Sequence, residues 1–150
     1  MPRPGPDQEK LKVFVGEWRG REKMYPTQWT PEGGMRDAKI SNRLALDGFA
    51  VVQDYVQSEN GAPQFQGHAV IMKNPQADGY QMHWFDCFSP SLFEGTFDGE
   101  KAVFVHKSPM GDNRAVFDFG RPGAYTFRME VSQDGGKTWA PMMDGEYGKA

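Results

Sequence analysis

The stretch Ala38-Lys39-Ile40-Ser41-Asn42-Arg43-Leu44-Ala45-Leu46-Asp47-Gly48-Phe49-Ala50-Val51-Val52-Gln53-Asp54-Tyr55-Val56 decides the fold. Residues alternate in character on both sides of Asp47-Gly48, the mark of two half-buried strands. Asp-Gly fits the centre of a two-residue type I′ hairpin, where glycine tolerates the positive φ that a Cβ opposes. Such a turn pairs Leu46 with Phe49, Leu44 with Val51, Asn42 with Gln53 and Ile40 with Tyr55. One face then carries Ala38, Ile40, Asn42, Leu44, Leu46, Phe49, Val51, Gln53 and Tyr55. It reads as the interior, apolar except for two facing amides. Buried amides need partners; these two either satisfy each other or receive a ligand.

The same texture extends through most of the chain. Short runs rich in β-branched and aromatic residues are punctuated by Gly, Pro, Asn and Asp. Ten strands are predicted, near 17–25, 34–46, 49–58, 64–73, 79–87, 92–97, 100–106, 113–120, 124–132 and 138–147. Successive hairpins without intervening helices indicate an all-β, up-and-down antiparallel barrel. Residues 1–6, with three prolines, read as a flexible arm, and residues 7–150 as one barrel domain. A single short helix is predicted over Gln8–Val15, capped by Asp7, with Leu11, Phe14 and Val15 on its buried face.

Two further turns set expectations for register. Asp98-Gly99 pairs Phe97 with Glu100, Gly95 with Ala102 and Phe93 with Phe104, on a face that continues to His106. Pro122-Gly123, the centre of a type II turn, pairs Phe117 with Arg128 and Asp118 with Phe127.

Composition narrows the function. The 150 residues carry 17 basic and 20 acidic side chains, a formal net charge of −3. Nucleic-acid binding, which wants a basic patch and a high pI, is not expected. The chain shows no signal peptide and no apolar stretch of membrane-spanning length, so cytoplasmic residence without membrane association is expected. Cys87 is the only cysteine; its neighbours Phe85 and Phe88 suggest a buried, inert thiol.

The chemically capable groups are few. His68, His83 and His106 show no metal-ligand spacing, so no metal site is expected. The stretch Met82-His83-Trp84-Phe85-Asp86-Cys87 concentrates the remaining candidates. Alternation places Tyr80, Met82, Trp84 and Asp86 on one face, with Gln81, His83, Phe85 and Cys87 on the other. Adjacent strand residues oppose each other, so a His83–Asp86 relay is not expected. Asp86 is either an acid–base group with a raised pKa or, the commoner case, a carboxylate satisfied by backbone or arginine at the barrel end. The catalytic candidates are thus Asp86, His83 and His106, and none forms a recognisable catalytic constellation. Nine methionines suggest an adaptable, polarizable lining.

The opening Gly16-Glu17-Trp18-Arg19-Gly20, leading to Tyr25-Pro26, resembles the Gly-x-Trp start of calycin-type barrels, which include lipocalins and fatty-acid-binding proteins. The wider order resembles the bacterial family called domain of unknown function 1579. It is carried by Leu46-Asp47-Gly48-Phe49, Trp84-x-Asp86, Glu94-Gly95-x-Phe97-Asp98-Gly99 and Gly145-Glu146-Tyr147, across about residues 8 to 148. The opening is also similar to haem-binding nitrobindin barrels. Their haem ligand is a histidine near the C-terminus, and this chain has no histidine after His106. The close Tyr147-Gly148-Lys149 also departs from the Tyr-x-Arg of related sequences. The missing histidine argues against a nitrobindin-like haem site, and the resemblance implies a barrel with an interior cavity and no established reaction.

Three functions compete. The leading one is a carrier or sensor of a small apolar or amphipathic molecule, its site formed by Asn42, Gln53, Tyr55, Trp84, Phe93, Phe104, His106 and Arg128. The second is a structural or interaction protein, a homodimer joined through Val52, Val56, Val103 and Val105 on the outer face. The third is a cofactor-free acid–base enzyme working inside the barrel.

Overall fold

The computed structural model describes residues 1–28 and 30–150. Ten antiparallel strands form a closed barrel in which each strand pairs with its sequence neighbours and β1 pairs with β10. The strands are β1 Gly16–Met24, β2 Gly34–Ala45, β3 Ala50–Glu59, β4 Ala62–Lys73, β5 Tyr80–Asp86, β6 Pro90–Asp98, β7 Lys101–His106, β8 Asp112–Arg121, β9 Ala124–Ser132 and β10 Ala140–Lys149. All ten predicted strands are present. Closure leaves no sheet edge to template aggregation.

A short helix, α1 (Pro6–Glu9), runs into a 3₁₀ segment, Lys10–Phe14. Asp7 is not its cap: it lies in the first turn, and Gly5 is the N-cap, with the Gly5 amide donating to Gln8 Oε1. The Asp7 carbonyl instead accepts from Tyr80 Oη at 2.6 Å. Leu11 and Phe14 are almost wholly buried. Phe14 makes edge contacts with Phe97, Phe117 and Phe119, so the segment plugs one end of the barrel. Two side chains tie it there, because Trp18 Nε1 and Asn42 Nδ2 both donate to the Phe14 carbonyl, at 3.0 and 2.8 Å.

The deciding hairpin forms as expected. Asp47 (φ 60°, ψ 32°) and Gly48 (φ 95°) have type I′ angles, and Phe49 N donates to Leu46 O. Leu44 pairs with Val51, Asn42 with Gln53 and Ile40 with Tyr55. The interior assignment fails only at the rim, where Leu44 and Leu46 are 38% and 66% exposed. They stand beyond the barrel's end beside Pro4, Gln8 and Lys12, and the plug fills the interior in their stead.

Two registers differ from expectation, with opposite consequences. Around Asp98-Gly99 the pairs are Asp98 with Lys101, Phe97 with Ala102 and Gly95 with Phe104. That is a shift of two residues, which puts Glu100 in the turn and leaves the strand side chains on their predicted faces. Around Pro122-Gly123 the turn pairs Arg121 with Ala124, but a bulge between Asp118 and Arg121 shifts the rest by one. Phe117 therefore pairs with Phe127 and Val116 with Arg128. A one-residue shift exchanges the faces, so Phe127 turns inward and Arg128 outward. Arg128 does not line the lumen: it binds Asp144 through Nε and Nη2, at 2.7 and 2.9 Å, on the outer surface.

Candidate functional site

Counting inward residues along each strand divides the lumen into two halves. Near the plug, Trp18, Ile40, Val51, Ile71, Phe104, Phe117 and Tyr125 are buried and form the core. At the far end the same alternation turns Met24, Arg36, Phe65, Trp84, His106, Asn113, Met129 and Met143 inward, yet all of these are partly exposed. These partly exposed inward residues mark the mouth of the barrel, and Phe127, inward and opposite Phe117, is partly exposed as well.

The floor of this mouth is a buried polar cluster centred on Glu22, which has no exposed surface. One oxygen, Oε1, accepts from Tyr55 Oη at 2.5 Å and Gln57 Nε2 at 2.8 Å, while Oε2 accepts from Tyr147 Oη at 2.5 Å. A buried carboxylate is tolerable only when its lone pairs are met in this way. Burial first, then the neighbouring Glu22 charge, pushes the phenols of Tyr55, Tyr125 and Tyr147 well above their usual range. Tyr147 reaches Glu22 because Gly145 lies beneath its ring: a Cβ there would meet Tyr147 Oη at 2.1 Å.

Gln57 connects the floor to the mouth. Its Nε2 donates to Glu22, and its Oε1 accepts from Arg36 Nη1 at 2.7 Å. Arg36 and Glu22 are opposite each other in register, and the Gln57 amide bridges their side chains. The Met24 and Met143 sulfurs lie 3.5 and 3.7 Å from the same Nε2.

The mouth has two unlike walls. On one side Phe65 lies nearly parallel to Trp84 (6.4 Å between centroids, 17°), with Phe88 beyond it and Tyr55 edge-on to both Phe65 and Trp84. On the other, Met24, Met143 and Met129 occupy directly paired positions on β1, β10 and β9.

Of the binding residues predicted from sequence, Trp84 and His106 are partly exposed at the mouth, and Tyr55 and Phe93 are buried beside them in the core. Phe93 and His106 are in ring contact at 5.3 Å, and His106 Nδ1 lies 2.8 Å from the Leu92 carbonyl. Phe104 is buried in the closed half, and Gln53 lies between the two. Asn42 sits at the plug; its Nδ2 bonds the Phe14 carbonyl and its buried Oδ1 has no partner among the described residues. Arg128 is outside, for the reason given above.

The catalytic candidates do not converge. His83 is exposed on the outer face. Asp86 accepts from Trp84 Nε1 at 2.7 Å and from the Phe88 and Ser89 amides, the backbone-satisfied state expected at a barrel end. The remaining histidine, His68, pairs with Asp54 on the outer face at 2.8 Å. Cys87 is exposed rather than buried, because β5 ends at Asp86 and the turn carries the thiol past the rim. Val52, Val56, Val103 and Val105 are partly exposed on the outer surface. No helix among the described residues is long and apolar enough to cross a membrane.

Glu22, Arg36, Gln57 and Tyr147 were not among the predicted site residues. The signal for three of them was alternation carried further: Arg36 precedes Ala38 by two, Gln57 follows Tyr55 by two, and Glu22 follows Trp18 by four.

Among solved structures, the S-type phycobiliprotein lyase CPES from Guillardia theta is similar over 96% of this chain and 92% of its own (TM-score 0.65, 11% identity). Rv2717c from M. tuberculosis is similar over 97% and 98% (TM-score 0.63, 11% identity). At such identity the likeness is one of fold. No curated protein matches the sequence. The sequence matches, over residues 3–149, the family described as "Protein of unknown function (DUF1579)", and the chain belongs to that family.

Proposed function

We propose that the protein binds a small apolar or amphipathic molecule in the open half of its barrel. The observation that carries this reading is the contrast within one lumen. Most inward side chains are buried on the plugged side and partly exposed at the mouth, where aromatic and thioether side chains line the lumen. Ligand sites typically combine an apolar lining with a few fixed polar groups, and the Glu22–Gln57–Arg36 chain supplies those groups here. The likeness to a phycobiliprotein lyase brings the fold to this chain and not a reaction.

Native mass spectrometry of the purified protein should reveal a co-purified small molecule. Apolar fluorophores should quench tryptophan emission, and the Trp84→Phe variant should lose much of that response. A bare mass together with emission indifferent to every fluorophore would overturn the reading.

A further inference from the structure

We propose that Arg36 is an anion receptor and that the ligand class is a flat apolar molecule bearing one negative group, a carboxylate or a sulfonate. The inference rests on the lumen-binding reading above and deepens it.

Arg36 faces the lumen, since it alternates with the buried Ala38, Ile40 and Asn42 along β2. Among the described residues its one hydrogen bond is from Nη1 to Gln57 Oε1. A guanidinium has five N–H donors in a planar fork suited to an oxyanion, so most of the fork is uncommitted at a partly exposed position inside the mouth. The acid opposite it in register, Glu22, spends its oxygens on Tyr55, Gln57 and Tyr147. The other inward acid near the rim, Asp86, holds Trp84 Nε1 and two backbone amides. Arg36 is therefore a lumen cation whose natural acidic partners are already engaged.

The relay also fixes where the fork points. Gln57 is only 3% exposed, and its amide is held by Glu22 on one side. That buried amide anchors one guanidinium nitrogen, Nη1, and no other hydrogen bond holds the fork among the described residues. An arginine held by a buried side chain loses little further freedom when an anion arrives. The flat shape follows from the walls, with the near-parallel Phe65 and Trp84 rings on one side and the row Met24, Met143, Met129 on the other.

The test uses a matched pair of flat fluorescent probes: 1-anilinonaphthalene-8-sulfonate, an anion, and N-phenyl-1-naphthylamine, its neutral counterpart. The wild-type protein should bind the anion about tenfold or more tightly than the neutral probe, with the preference shrinking at high salt. In Arg36→Gln the ratio of the two affinities should fall to near one, and in Arg36→Lys it should be intermediate, because a lysine keeps the charge without the fork. Arg128→Gln, on the outer surface, should leave the wild-type ratio intact. Should Arg36→Gln fail to fold, Arg36→Lys and the salt dependence carry the test. Equal binding of both probes, with a ratio indifferent to Arg36, overturns the anion receptor while leaving lumen binding in place. Failure of the folded wild-type protein to bind either probe counts against both.

Discussion

The two ends of this barrel are made from the same strands and differ in what stops them. At one end Leu11 and Phe14 enter from the N-terminal segment and are met by Phe97, Phe117 and Phe119. At the other end no helix enters among the described residues, and Phe65, Trp84, Met129 and Met143 keep part of their surface in water. Protein interiors are normally filled to crystal-like density, and the partly exposed side chains at this end forgo some of the packing that the plugged half obtains. The closed half holds the structure together, and the open half is where the molecule can meet something else.

That division makes a quantitative contrast. Phe14→Ala should cost about 3–5 kcal/mol, the range for truncating a fully buried phenylalanine. Phe65→Ala, at the mouth, should cost about 1 kcal/mol, near the centre of the distribution for point mutants. Urea denaturation of both variants checks the comparison, and equal losses would break it.

The polar floor should give an intermediate effect. Glu22→Gln leaves the buried hydroxyls of Tyr55 and Tyr147 facing an amide that must accept and donate at once. A loss of about 1–3 kcal/mol is expected from the mismatch, read by the same denaturation. The tyrosines also predict a response to alkali. Their folded pKa values are raised above the unfolded value near 10, so their contribution is complete below that pH and is lost as pH rises above it. Ultraviolet titration should show these phenols ionising together with unfolding, not before it.

The smallest effect should come from the loop between β9 and β10. Asp134 accepts from the Thr138 hydroxyl and amide and from Ser132 Oγ, which holds its carboxyl down at about 2. A depressed carboxyl contributes stability above its unfolded pKa and loses it as pH falls through the folded one. Asp134→Asn should therefore lower the melting temperature slightly at pH 7, make no difference near pH 2 and so flatten the decline between about pH 4 and pH 2.

Most of the fold was legible because hairpin turns and period-two alternation are local signals. Asp47-Gly48 fixed one register outright. The two-residue shift at Asp98-Gly99 was harmless, because strand faces repeat every second residue. The bulge after Asp118 was not legible from Pro122-Gly123, since a bulge is an agreement between two strands and leaves little trace in either. That one residue sent Arg128 outside, while the inward arginine, Arg36, lay one alternation step before Ala38. The exposure of Cys87 was missed for a related reason: apolar neighbours suggest burial, but where a strand stops decides it.

The bond between Glu22 and Tyr147 has a consequence for how the chain is made. These residues are 125 positions apart and belong to the first and last strands. A ribosome adding about 5–20 residues per second needs roughly 6–25 s to travel from one to the other. Throughout that interval β1 has emerged with one ladder side unpaired, and Glu22 has no Tyr147 to meet it. Such an edge invites other nascent chains. The outward positions of β1 are Glu17, Arg19, Arg21 and Lys23, a charged residue at every one. The first strand is thus dressed for a wait in water that ends only when β10 arrives to close the seam.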